Sequence, residues 1–336
     1  VLAGVSAFAQ TPRTPAPTTT TTPKPKPAPV VLTVEAPVAI RLRNGDSTEK
    51  SVEVERRSTV SLCVTSGDVR VNGWDRAEVR ALVDGGSLEF RVAERDPKTE
   101  KPSWIFVVGN APVRAGVKNA GVKSDECLSG DLVELDIPRD AAITLRGSPS
   151  DTRVESVLKA KIENISGNIV VRNVTNGVFA TTYEGGIMVE RSRGPMTLTS
   201  ASGGIVAFDV GQSETGDVFK ARTNGGAVTL QSLEFRQVEA SSITGGVVYR
   251  GKLLAGGQYS FGSQNGRVVL AVPANTVCRV NAWNGLGGFV SDVPLQNAVK
   301  NGQSTLGRLG NDDNGCSLSL KTTTGQLRIS VGTSDK

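Results

Sequence analysis

One short phrase recurs along this chain: Ser, Thr or Asn, then one or two glycines, then an alternating apolar run. It reads NISGNIVV at 164–171, TYEGGIMV at 182–189, SASGGIVAF at 200–208, RTNGGAVTL at 222–230, SITGGVVY at 242–249 and SQNGRVVL at 263–270. The last glycine of each copy is Gly167, Gly186, Gly204, Gly226, Gly246 and Gly266, a spacing close to twenty residues. TSGDVRV at 65–71 (Gly67) and TTTGQLRI at 322–329 (Gly325) are further copies. Few folds accept such a period, because each repeat must place the same turn at the same place on a growing structure.

The letters have a physical reading. Glycine accepts a tight turn without a Cβ penalty, and short polar side chains bond the local backbone. Two and four residues after the glycine the chain is apolar at Val69 and Val71, Ile169 and Val171, Val206 and Phe208, Val228 and Leu230, Val268 and Leu270, Leu327 and Ile329. This period of two marks a half-buried strand. The copies at Gly186 and Gly246 fit one residue earlier, as Ile187 with Val189 and Val247 with Tyr249, which predicts a shifted turn or bulge there. A second, weaker strand lies between turns: Val178 with Ala180, Met196 with Leu198, Val238 with Ala240, Tyr259 with Phe261.

One coil of strand, bend, strand and glycine turn buries about four apolar side chains, on the order of 6 to 12 kcal/mol. Ordering its twenty residues costs more, at roughly 1 to 2 kcal/mol each for backbone alone, so coils must stack. The sequence therefore predicts an all-β chain forming a single elongated β-solenoid. Eight coils at about 4.8 Å would make a rod near 40 Å. Stacking should align Glu184, Ser202, Asn224, Thr244 and Gln264 in one ladder. The alternative is an antiparallel β-sandwich or meander, since Asn224-Gly225 and Asn265-Gly266 are also hairpin signals.

Outside the repeat, VLAGVSAFAQ ends in Ala7-Phe8-Ala9 before Gln10, the pattern a signal peptidase accepts. Residues 1–9 read as the end of a signal peptide whose start lies outside the sequence. Residues 10–30 are a Thr/Pro-rich linker, a stalk or a tail, and 31–336 are the β-strand-repeat domain with an insertion at about 93–128. No later stretch is apolar enough to span a bilayer as a helix. Three cations, Arg13, Lys24 and Lys26, lie in the linker, which leaves the rest nearly balanced at 35 basic against 33 acidic residues and makes no electrostatic case for nucleic acid. Export makes the four cysteines disulfide candidates. We favour Cys63 with Cys127 and Cys278 with Cys316, each pair stapling one end of the body.

These residues resemble the bacterial β-strand-repeat putative-adhesin family, a domain family of unknown function. The resemblance rests on SGDVRVNGWDRAEVRA at 66–81, the SGNIVV, SGGIVA and NGGAVTL phrases, and VPANTVCRVNAWNGLGGFVSDVPL at 272–295 followed by TTTGQLRIS. It covers roughly residues 55–335 and implies a β-solenoid or related all-β fold and an envelope location, with no catalytic residues to carry over. Residues 93–128 and 296–316 depart from the pattern.

Little points to chemistry. Histidine is absent, which excludes Ser-His-Asp and Cys-His catalysis within the chain. A β-helical polysaccharide-active enzyme would need carboxylates converging on one face. Glu190, Asp209, Glu214, Asp217, Glu234 and Glu239 instead fall at differing positions relative to the turns. The run 311–315, NDDNG, lacks the spacing of a calcium loop and reads as a turn. Trp74 and Trp283 sit beside glycine turns as covers for coil ends, which leaves Trp104 as the contact candidate. The bacterial origin that the resemblance implies would make the sequons at Asn164 and Asn173 incidental. No cofactor or metal site is expected.

The leading expectation is an exported, non-enzymatic cell-envelope or surface protein, periplasmic, cell-surface or extracellular. Its partners would be envelope or surface components, or further copies of itself joined end to end. The other reading is an envelope-stress or ligand-binding head domain.

Overall fold

The computed structural model describes residues 47–109, 126–311 and 315–332. The export-signal and linker readings lie outside these residues, as do positions 312–314 of the NDDNG run. Among the described residues there is no α-helix, and the protein is all-β.

Twenty-six strands follow one another: β1 (Ser47–Glu53), β2 (Thr59–Trp74), β3 (Glu78–Asp84), β4 (Glu89–Arg95), β5 (Pro102–Val108), β6 (Leu128–Pro138), β7 (Ala142–Gly147), β8 (Asp151–Glu155), β9 (Lys159–Asn164), β10 (Asn168–Arg172), β11 (Val178–Thr182), β12 (Ile187–Glu190) and β13 (Met196–Ser200). The second half comprises β14 (Ile205–Gly211), β15 (Val218–Thr223), β16 (Val228–Glu234), β17 (Gln237–Ser242), β18 (Val247–Arg250), β19 (Gln258–Ser263), β20 (Val268–Val272), β21 (Cys278–Asn284), β22 (Phe289–Ser291), β23 (Leu295–Asn301), β24 (Ser304–Leu309), β25 (Cys316–Thr322) and β26 (Leu327–Val331).

From β9 to β18 each strand pairs in parallel with the strands two before and two after it, never with its immediate neighbour. Odd-numbered strands build one ladder and even-numbered strands a second. β15 pairs with β13 and β17, so Asn224-Gly225 does not close a hairpin onto β16. Alternate side chains of both ladders fill a common core: Val178, Ala180, Met196, Leu198, Val238, Ala240, Tyr259 and Phe261 from the first ladder, Ile169, Val171, Val228 and Leu230 from the second.

The turn between the ladders obeys a stricter rule than the glycine spacing suggested. A column of buried polar residues, Asn164, Thr182, Ser200, Thr223, Ser242, Ser263 and Thr322, runs in register at the end of the first-ladder strands. Three residues after each comes a glycine: 167, 185, 203, 226, 245, 266 and 325. A Cβ on Gly185, Gly203, Gly245, Gly266 or Gly325 would drive into the carbonyl of the stacked glycine one coil before. Backbone approaches backbone there, and only glycine fits.

Counting from the stacked glycine corrects the phase read from sequence. In the Gly-Gly copies at 185–186, 203–204 and 245–246 the first glycine stacks, and Gly186, Gly204 and Gly246 follow it. Ile205 and Ala207 are therefore buried, while Phe208, expected inside, is 41% exposed, so the copy at Gly204 joins the two expected to be offset. No bulge occurs where β12 or β18 pairs with its neighbours. The same shift breaks the expected ladder. Thr244 donates its amide proton to the Asn224 carbonyl, which levels Thr244 with Gly225, while Asn265 rather than Gln264 bonds to Ile243 and lies level with Thr244.

The second corner is built differently. The chain leaves β8, β10, β12 and an inner point of β14 and β16 through Ser156, Asn173, Arg191, Asp209 and Ser232, whose φ angles lie between 44° and 58°. This left-handed residue resets the alternation, so buried positions fall three apart: Val154 and Val157, Val171 and Val174, Ala207 and Val210, Leu230 and Leu233.

Both ends depart from chain order. The first half of β2 pairs with β5 and β7, its second half with β6 and β8, so β2 lies between a coil made of β5 and β6 and the coil of β7 and β8. At the other end β25 and β26 lie between β19/β20 and β21/β22. Antiparallel strands extend the ladders: β4 beside β5, β3 beside β6, β1 beside β3, and β24 then β23 beside β21. Residues 93–128, read from sequence as an insertion, thus contain β5, a strand of the first ladder.

Candidate functional surface

The outward side chains of the two ladders form the broadest surfaces. On the second ladder Val170, Met188, Val206, Thr229, Val248 and Val269 stand in one half-buried row, in register from rung to rung. Beside them Arg172 bonds Glu190 at 2.8 Å and reaches Glu155 at 3.5 Å. Arg193 lies 3.7 Å from Asp209 and 3.3 Å from Glu234. Asp217 accepts from the Ser213 and Glu214 amides in its own loop; these hydrogen bonds outweigh desolvation and lower its pKa. Glu239 points outward from β17. The acids weighed as catalytic candidates do not converge on one face: Asp209, Glu214 and Asp217 lie on β14 and the loop after it, the other three on other strands, and four of the six are tied to arginines or to their own loop. Among the described residues no three His, Cys, Asp or Glu side chains gather as a metal site would require.

The first ladder's outward face is polar, with Thr197, Lys220, Arg222, Glu239 and Ser260 exposed or partly so. At its N-terminal end Trp104 is 39% exposed and donates its indole N–H to Ser61 Oγ at 2.9 Å. Its ring lies 5.4 Å from that of Phe106, the next outward residue on β5. Trp283 is crossed by the Lys321 ammonium at 5.2 Å.

A shallow groove at the N-terminal end of the second ladder is lined by Glu49, Lys50, Trp74, Arg76, Arg80 and Asp136. Arg80 donates through Nε and Nη2 to Asp136, which also accepts from Asn72 at 3.3 Å, and Arg80 reaches Glu49 at 3.5 Å. The Asp136 hydrogen bond holds the Arg80 pKa above its ordinary value despite partial burial. Arg76 and Arg80 both lie over Trp74, at 4.9 and 5.8 Å, and Trp74 donates to the Glu78 carbonyl. Nothing in the spacing of these residues marked them in the sequence, since β1, β2, β3 and β6 meet only through the out-of-order pairing.

The four cysteines are joined as Cys63–Cys127 and Cys278–Cys316, with Cα separations of 4.7 and 4.3 Å. Each bond joins the out-of-order coil to the coil at its end: Cys63 lies in β2 and Cys127 just before β6, while Cys278 and Cys316 face each other across β21 and β25. The turn glycines Gly67, Gly167, Gly226, Gly266 and Gly325 all lie between the ladders. Two buried tyrosines complete the core chemistry. Tyr249 donates to the Lys252 carbonyl and Tyr259 to that of Phe235, and burial pushes both phenols to higher pKa. No described helix is long and apolar enough to cross a membrane.

No known-family profile matches the chain, and no curated protein matches it in sequence. Solved structures similar to it include a putative adhesin from Parabacteroides merdae, at 9% identity over 85% of this chain and 97% of that one, with a TM-score of 0.39. A putative adhesin from Bacteroides fragilis is 11% identical over 84% of this chain and 97% of its own, with a TM-score of 0.34. A putative cell adhesion protein from Clostridium sporogenes is 9% identical over 85% and 99%, with a TM-score of 0.24.

Proposed function

We propose that residues 47–332 wind as one β-solenoid and that the chain is an exported, non-enzymatic module of the bacterial cell envelope or surface, structural or adhesive in role. One observation carries this reading. Two uninterrupted parallel ladders hold rows of outward side chains at a fixed spacing of about 4.8 Å, which suits an extended partner better than a small molecule. The disulfide at each end supports export, because such bonds persist in oxidising compartments.

The test is retention of the purified chain on intact envelopes and on immobilised polysaccharides, alongside imaging. Eleven coils and their antiparallel extensions give fourteen strands in the first ladder, a body about 60 Å long. Envelope retention with an elongated body supports the proposal. A compact sphere, or turnover of any glycan, sinks it. The groove beside Trp74 favours the second reading, a ligand-binding head, and Trp74→Ala abolishing retention while Trp104→Ala leaves it intact would select that reading.

A further inference from the structure

The two ends are stepped in opposite senses. Beyond the coil of β5 and β6, the second ladder continues by two strands, β3 and β1, and the first by β4 alone. Beyond the coil of β21 and β22, the first ladder continues by two strands, β24 and β23, while the second stops at the three-residue β22. Among the described residues β1, β4, β22 and β23 each have a strand on one side only. Beside β22 and β23 runs an open groove lined by Phe289, Val293, Leu295 and Ala298, with Lys300 at its edge. Phe289 and Leu295 are only partly buried although they pack on the core.

The charges of the ends are opposite as well. Strands β21 to β24 contain Arg279, Lys300 and Arg308 and no carboxylate. Strands β1, β3 and β4 contain Glu49, Glu53, Glu78, Asp84, Glu89 and Glu94 against four cations, Lys50, Arg80, Arg91 and Arg95.

We propose that a second copy of this chain is the partner of the C-terminal end: the N-terminal end of one copy seats on the β22/β23 step of the next. The one-strand overhang of the second ladder enters the two-strand shortfall at the other end, the unpaired edges of β4 and β23 meet, and the groove over Phe289 and Leu295 is covered. This inference rests on the solenoid reading above and gives it a specific mode of assembly. The contact is heterologous, so it propagates instead of closing at a dimer. Its charge complementarity makes it weaken as salt rises.

Sedimentation velocity on the full chain, at rising concentration and at low and high salt, is the test. The expected result is a size distribution that grows past the dimer at low salt and retreats in high salt. Lys300→Glu and Glu94→Lys alter exposed side chains at opposite ends, and each should weaken association about tenfold without changing the thermal transition. A chain that stays monomeric at every concentration overturns the proposal, as does growth that halts at the dimer or is unchanged in both variants. The surface role is read separately, from envelope retention at concentrations where the chain is monomeric. Retention without self-association overturns this inference alone, and self-association without retention overturns the surface role alone.

Discussion

Ser242 donates its hydroxyl proton to the carbonyl of Gly226 one coil earlier, at 2.7 Å, and accepts the amide proton of its own coil's Gly245 at 2.9 Å. Thr223, Ser263 and Thr322 do the same with their glycines. One buried hydroxyl thus satisfies two backbone groups that the tight turn would otherwise strand.

Ser242→Ala should therefore cost about 1 to 3 kcal/mol, the desolvation of an unpaired amide and carbonyl. Ser242→Thr should be close to neutral, since threonine already serves at 223 and 322. Urea unfolding of the two variants checks both values.

Neighbouring glycines should behave very differently. Gly203→Ala pushes a methyl into the Gly185 carbonyl, a backbone atom that cannot swing aside, and should cost at least about 3 kcal/mol or block folding. Gly204→Ala places its methyl 3.2 Å from the Ala227 carbonyl, a tight approach that a shift of a few tenths of an ångström relieves, and the next coil already carries Ala227 at the equivalent level. That variant should lose less than about 1 kcal/mol. Thermal unfolding of the pair separates the two glycines.

Replacing Cys278 and Cys316 by serine should lower stability by about 4 kcal/mol, the loop-closure value for a separation of 38 residues. The loss should be local first. Hydrogen exchange is expected to speed up in β21 and β25 while β11 to β17 stay protected.

Glu163 accepts a hydrogen bond from Lys161, and Arg146 lies beside it at 2.9 Å; together they hold its carboxyl below the ordinary 4.5 against partial desolvation. A carboxyl depressed in the folded state contributes in full above its unfolded value. That contribution is lost as pH falls through the folded one. Stability should therefore decline as pH drops below 4.5, and Glu163→Gln should make the decline shallower. Chemical denaturation across that range measures the difference.

Legibility tracked locality. The strands at Val178–Ala180 and Tyr259–Phe261 were readable because alternation and turn letters lie within one coil. The stacked glycine was misplaced at 204 because Gly203 and Gly204 look alike in sequence, and only the neighbouring backbone distinguishes them. Counting three residues from Ser200 would have resolved it. The second corner left no compositional trace, since Ser, Asn, Arg and Asp all take its left-handed conformation. The groove of Trp74, Arg80 and Asp136 was hidden because it depends on β2 lying between coils that come later in the chain.

That ordering also has a meaning in time. As the chain emerges, β21 and β22 are made before β25 and β26, the coil on which they rest. The growing end therefore cannot be completed until residues 316–331 arrive, and Cys278 waits for Cys316. A product that stops before Cys316 would keep an unlatched final rung with its apolar side open, a mark by which a protease could tell unfinished chains from finished ones.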